Sequence, residues 1–166
     1  MVLYNHRGEI KRREVNTMYK INISEYEVNT NKNRGTNKEW SLCEYYGIHR
    51  TAHDSVAYNV GSDIEIDEMN ISVKSSGATL MSGKLSEGCK TFEGIWRRYR
   101  KNVHSNTFVY ITNEFTAYFM DINEFSKFIH SFARLDRESQ KNGGQKKIKI
   151  RNESDKMIKW FEERVA

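Results

Sequence analysis

Asp63 and Lys74 have the types and the setting for chemistry on a phosphate. They stand in Gly61-Ser-Asp-Ile-Glu-Ile-Asp-Glu-Met-Asn-Ile-Ser-Val-Lys-Ser-Ser76, where Ile64 and Ile66 alternate with Asp63 and Glu65, and Ile71 and Val73 alternate with Ser72 and Lys74. That period of two predicts a pair of strands, with the turn drawn from Asp67-Glu68-Met69-Asn70. Strand side chains point to opposite faces in turn, so the four aliphatic residues enter a core while Asp63, Ser72 and Lys74 share the other face. Folding at the turn sets the start of the first strand beside the end of the second, which brings the acid to the amine. A carboxylate there can hold Mg²⁺, a hard cation that takes oxygen ligands and keeps several waters. An adjacent ammonium can steady the charge that grows on a phosphate during attack. A solvated hairpin whose outer face carries charge is the plain alternative.

Other elements must position this pair. Thr36-Asn-Lys-Glu39 fits a capping box and predicts a helix from Thr36 to about Gly47. Glu39, Leu42, Cys43 and Tyr46 share one face of it, which turns Glu39 toward the core side, while Glu44 falls on the opposite, solvated side. Closing the capping box is the competing role for Glu39. After the hairpin, Phe92, Ile95, Trp96, Tyr99 and Val103 recur at helical spacing and predict a second helix. Its other face carries Glu93, Arg97, Arg98, Arg100 and Lys101, and arginine forks suit phosphate oxygens. The same charges also serve solubility, and Glu93 with Arg97 makes an i,i+4 pair.

Strands are predicted over 105–112 and 116–120, and Asp121-Ile-Asn-Glu124 opens a helix striped by Phe125, Phe128, Ile129 and Phe132. A polar break over 137–147 precedes a short basic strand, Lys147-Ile-Lys-Ile-Arg151, and a final helix from about Ser154 that either packs on its own domain or dimerises. Upstream, a basic start (Arg7 to Arg13) leads into an alternating run, Tyr19 to Val28, read as a strand or hairpin. His49, His53 and Asp54 lie between the first helix and the hairpin; their spacing lacks a third metal ligand and reads as a polar loop.

At 166 residues the chain suits a single domain, divided into an N-terminal strand extension (1–35), a core (36–135) and a strand-helix appendage (145–166). Lys and Arg number 27 against 22 Asp and Glu, a net charge of +5 that favours a polyanionic partner. Cys43 and Cys89 stand far apart with no zinc-type spacing, as reduced thiols would in a cytoplasmic protein. No apolar run approaches a membrane span, and the first residues lack a signal-peptide pattern, so the expectation is a soluble intracellular protein.

The runs "SDIEI" and "ISVKSS" resemble the core of the PD-(D/E)xK nuclease superfamily, the fold of type II restriction endonucleases, Holliday-junction resolvases and many repair nucleases. Two positions depart from the pattern: Ser62 replaces the proline before Asp63, and Ser72 replaces the acid two residues before the lysine. One subgroup of restriction enzymes has Ser-x-Lys here and takes its second acid from the following helix. The resemblance therefore implies an α/β (α+β) fold with a restriction-endonuclease-like mixed central sheet flanked by helices. It implies a metal-dependent endonuclease acting on double-stranded DNA, with Mg²⁺ as cofactor and Mn²⁺ as a substitute. Asp63 and Glu87 would be the metal ligands, Glu93 or Glu39 alternative acids, Lys74 the residue that positions or activates water, and Ser72 a hydrogen-bonding neighbour. Glu65, on the same strand face as Asp63, is a further source of charge. Arg97, Arg98, Arg100 and Lys101 would grip the DNA backbone. Symmetric double-strand cleavage needs two such sites, which a homodimer supplies. A resolvase or repair nuclease, or a catalytically degenerate DNA-binding module on the same scaffold, remains the alternative.

Overall fold

The computed structural model describes residues 18–31, 33–48, 63–80, 91–136 and 147–165, together with the backbone of a small antiparallel ladder between β1 (Leu3–Tyr4) and β2 (Ile10–Lys11). Most of the basic start, the histidine loop with His49, His53 and Asp54, Cys89 and Glu87 all lie outside these residues.

The centre is a five-stranded mixed sheet. Its strands are β3 (Tyr19–Asn22), β4 (Ile64–Ile66), β5 (Met69–Lys74), β7 (Thr107–Ile111) and β8 (Thr116–Met120), in the order β3-β8-β7-β5-β4. β5 and β7 run parallel and every other pair is antiparallel. A parallel pair needs a crossover, and α2 (Phe92–Asn102) lies within it. β7 and β8 are buried on both faces, which is why they read as nearly continuous apolar runs. Phe108, Tyr110, Tyr118 and Met120 enter one core, while Val109, Ile111, Ala117 and Phe119 enter the other.

α1 (Arg34–Tyr46) covers the second core with Leu42 and Cys43. The first core lies under α2, α3 (Ile122–Phe132) and α4 (Asp155–Glu162). Phe125 stacks on Phe108 at 4.4 Å and Phe161 on Tyr118 at 4.3 Å between ring centroids. The terminal helix therefore packs on its own domain, and the strand-helix appendage contributes Met157 and Phe161 to the main core. A second sheet of three strands joins β6 (Thr79–Leu80), β10 (Ile148–Ile150) and β9 (Ala133–Leu135) in the order β6-β10-β9.

Several boundaries differ from the sequence reading. α1 starts earlier than Thr36 because Asn33 is its N-cap: Asn33 Oδ1 accepts the Thr36 N–H at 2.8 Å. Thr36 then lies inside the first turn, and Glu39 does not close a capping box there. The hairpin turn is only Asp67-Glu68, with Asp67 in the left-handed region at φ 50°, so β5 begins at Met69. The run after Tyr19 is one strand followed by a 3-10 turn over Ser24–Tyr26. The entrance of α2 is Thr91, whose side chain accepts the Gly94 N–H.

Candidate active site

The hairpin register pairs Ile64 with Ile71 and both are fully buried, so the predicted inner face is observed. Asp63 lies just before β4, where its backbone N–H donates to Ile71 O at 2.8 Å and its Oδ2 accepts the Val73 N–H at 2.7 Å. The carboxylate is thereby fixed against the strand that carries Ser72 and Lys74. Lys74 closes β5 and pairs with Tyr110 of β7.

Glu39 arrives from the opposite layer. The first turn of α1 lies beside the end of β5, where a Cβ on Gly35 would come within 3.9 Å of Ser75 Oγ. From there Glu39 comes close enough to Asp63 and Lys74 for their charges to act on it. Burial first, and the like charge of Asp63 second, push its carboxyl up to about 8, against a smaller lowering by Lys74. Two carboxylates and one amine thus lie within electrostatic reach of one another near the sheet end, from two different elements.

Tyr99 is the site residue that sequence reasoning assigned only to the core. It is buried on α2, and its phenol feels Lys74, Ser72 and Asp63. Burial dominates and raises its pKa; Lys74 and Ser72 oppose the rise and Asp63 adds to it. Ser72 is 1% exposed, and its Oγ has no hydrogen bond of good geometry, although it lies near enough to Tyr99 to influence the phenol. The signal available in the sequence was a tyrosine on an otherwise apolar stripe, since a buried phenol needs a polar neighbour.

Glu87 lies outside the described residues, and Glu93 is placed away from the site. Glu93 is exposed at the far end of α2, where His130 Nε2 meets its Oε1 at 2.7 Å. Six residues of helix separate Glu93 from Tyr99, roughly 9 Å along the axis. Glu44 is exposed, as its face predicted, and Glu65, read on the face of Asp63, is exposed as well. On the outer side of α2, Arg97, Arg100 and Lys101 are exposed and Arg98 is half-buried. Arg100 donates to Asn123 Oδ1 at 2.8 Å, tying α2 to α3.

No family model, no curated protein and no solved structure matches this chain.

A second polar group adjoins the first. Lys38, only 5% exposed, donates to Asn113 Oδ1 at 3.0 Å. Burial lowers its pKa, while nearby Glu153 acts to raise it. Glu153 accepts from Tyr110 Oη and from the Asn113 N–H, both at 3.1 Å, and its own N–H donates to Ser76 Oγ at 2.8 Å. Ser76 and Tyr110 are, respectively, two residues beyond Lys74 and its partner across the ladder. This network therefore fixes the strand end that presents Lys74.

The donor set suits a hard divalent cation. Among the described residues no three His, Cys, Asp or Glu side chains gather as a metal cage. Mg²⁺ is commonly held by one or two carboxylates with waters completing its shell, and Asp63 with Glu39 meets that requirement.

Proposed function

We propose that this protein is a metal-dependent endonuclease that hydrolyses DNA phosphodiester bonds, and that it works as a type II restriction enzyme in a homodimer. One feature carries the reading: Glu39, from a separate helix, lies within electrostatic reach of Asp63 and Lys74 near the end of β5. Two crowded carboxylates are poor neighbours without a cation and good ligands for one.

In this reading Asp63 and Glu39 hold Mg²⁺, which when bound would polarise the scissile phosphate and favour ionisation of the attacking water. Lys74 contributes a fixed positive charge where the phosphate becomes more negative. Asp63 keeps its orientation through the Val73 N–H, so its carboxylate does not reorganise when substrate arrives. The Tyr99 hydroxyl lies within reach of the charges of Lys74 and Asp63, on the α2 side of the site. Arg97, Arg98, Arg100 and Lys101, on the outer side of α2, would bind backbone phosphates.

The test is incubation of the purified chain with phage and plasmid DNA in Mg²⁺ or Mn²⁺, beside EDTA and Lys74→Ala controls. Discrete bands that need metal and disappear in the variant are expected. No nicking in either metal would defeat the proposal. A second reading has its own observation: Ser72, where the superfamily pattern has an acid, is buried and brings no charge. A degenerate DNA-binding module would bind duplex equally well with and without Lys74 and would never nick it. Cleavage confined to four-way junctions would instead identify a resolvase.

A further inference from the structure

We infer that a cationic groove on the three-stranded sheet holds the phosphate backbone of double-stranded DNA and leads it to the Asp63–Lys74 site. A cavity of about 350 Å³ lies not at the carboxylate cluster but one loop away, lined by Arg134, Lys149, Arg151, Asn152 and Ser154 among others. Its lining includes three basic side chains and no carboxylate.

The cations are placed there by the strands. Ile148 and Ile150 are buried, so Lys149, and by the same alternation Arg151, turn to the opposite face. Register sets Lys149 directly across from Arg134. Like charges directly opposite on a ladder repel, and none of the three has a carboxylate partner among the described residues. A chain of phosphates removes that repulsion, and the side chains Asn152 and Ser154 add hydrogen-bonding groups to the same wall.

The groove is continuous with the site through the loop that follows Lys74. Ala78 N–H donates to Ser75 O at 3.0 Å, which closes the turn, and Ile150 N–H donates to Ala78 O at 2.8 Å, which fastens it to β10. Gly77 sits in that turn at φ +73°, where a Cβ would come within 3.4 Å of Asn152 Oδ1 and 4.0 Å of Lys149 Cε. Glycine lets the Lys74 loop lie directly against the groove wall.

This inference rests on the nuclease reading for its substrate, but binding can be measured without cleavage. Fluorescence anisotropy of a labelled duplex of about 30 base pairs is measured in EDTA, from about 50 to 200 mM NaCl, for the wild type, the triple variant Arg134→Gln/Lys149→Gln/Arg151→Gln, and Lys149→Met. The triple variant is expected to bind at least about tenfold more weakly near 100 mM salt, with a log–log salt slope shallower by about 2 to 3. Lys149→Met, which keeps the aliphatic stem beside Gly77, is expected to lose about one unit of slope. Wild-type affinity and slope in both variants, no duplex binding by the wild type, or tighter binding of single-stranded RNA would each overturn the inference. Loss of binding in the triple variant upholds the groove even if the wild type nicks nothing, while nicking with unchanged binding in the variants upholds the nuclease reading alone.

Discussion

Lys38 and Glu39 are neighbours on α1, yet they enter two clusters built on opposite principles. Around Lys38 every named group has a partner: the ammonium donates to Asn113, and Glu153 accepts from Tyr110 and Asn113. Around Glu39 the like charge of Asp63 adds to burial, and Lys74 offsets the two only in part. A satisfied buried network holds a fold in register, whereas crowded charge is tolerated where something outside the chain will relieve it. The contrast gives the first cluster a supporting role and makes the second the place where the proposed chemistry would occur.

Lys74→Ala should sharpen the contrast most. We expect a loss of about 10³-fold or more in DNA nicking, equivalent to about 4 kcal/mol, with a thermal midpoint within a few degrees of wild type. Parallel nicking and melting assays check this, and a large fall in melting temperature would instead make Lys74 structural. Glu153→Ala should do the reverse. It strips the acceptors from Tyr110 and the Asn113 N–H and removes the countercharge near Lys38, at a cost of about 2–3 kcal/mol in denaturant unfolding. Unchanged stability there would erase the distinction between the clusters.

Glu39→Gln tests the crowding through pH. The folded-state pKa of about 8 lies above the ordinary carboxylate value of 4.5, so the native state holds the extra proton between them. Wild-type stability therefore falls as pH rises across that window, while the glutamine variant is spared this loss. Melts at pH 5 and pH 8.5 should show the variant gaining on the wild type by roughly 1–2 kcal/mol at the higher pH, allowing for solvent near the site. Added Mg²⁺ should restore the wild type and leave the variant unmoved; a pH-independent difference would mean that Glu39 is not crowded. Ser72→Ala is the smallest change. Its hydroxyl makes no hydrogen bond of good geometry, so stability should shift by less than about 0.5 kcal/mol in urea titration. A drop beyond about 1.5 kcal/mol would mean that the hydroxyl is satisfied in solution.

Much of this was legible in the residues. The hairpin face followed from the alternation of Ile64, Ile66, Ile71 and Val73, and the stripes of α2 and α3 from helical spacing, because burial on one side writes itself into sequence as a period. The failures have a common cause in local competition. Asn33 and Thr36 are both good caps, and the sequence offered Thr36 with Glu39 as a capping box although Asn33 takes the Thr36 N–H. β9 was invisible because Ala133 ends α3 and begins the strand with no turn between them. Lys38 was missed because no period predicts a buried amine; only the tertiary partners Asn113 and Glu153 make one tolerable. The three-stranded sheet, assembled from segments far apart in the chain, carried the groove out of sight with it.

The three-stranded sheet also decides when in folding the strand end can be aligned. Arg151 N–H donates to Phe132 O, Phe161 stacks against Tyr118, and the Glu153 carboxylate holds the Tyr110 hydroxyl. The end of β5 that presents Lys74 is therefore steadied by residues far downstream in sequence, and contacts between remote segments close late because chain entropy must be overcome first. Asp63 and Lys74 are close in sequence and can meet early, whereas the clamp that aligns them belongs to the last stages of folding.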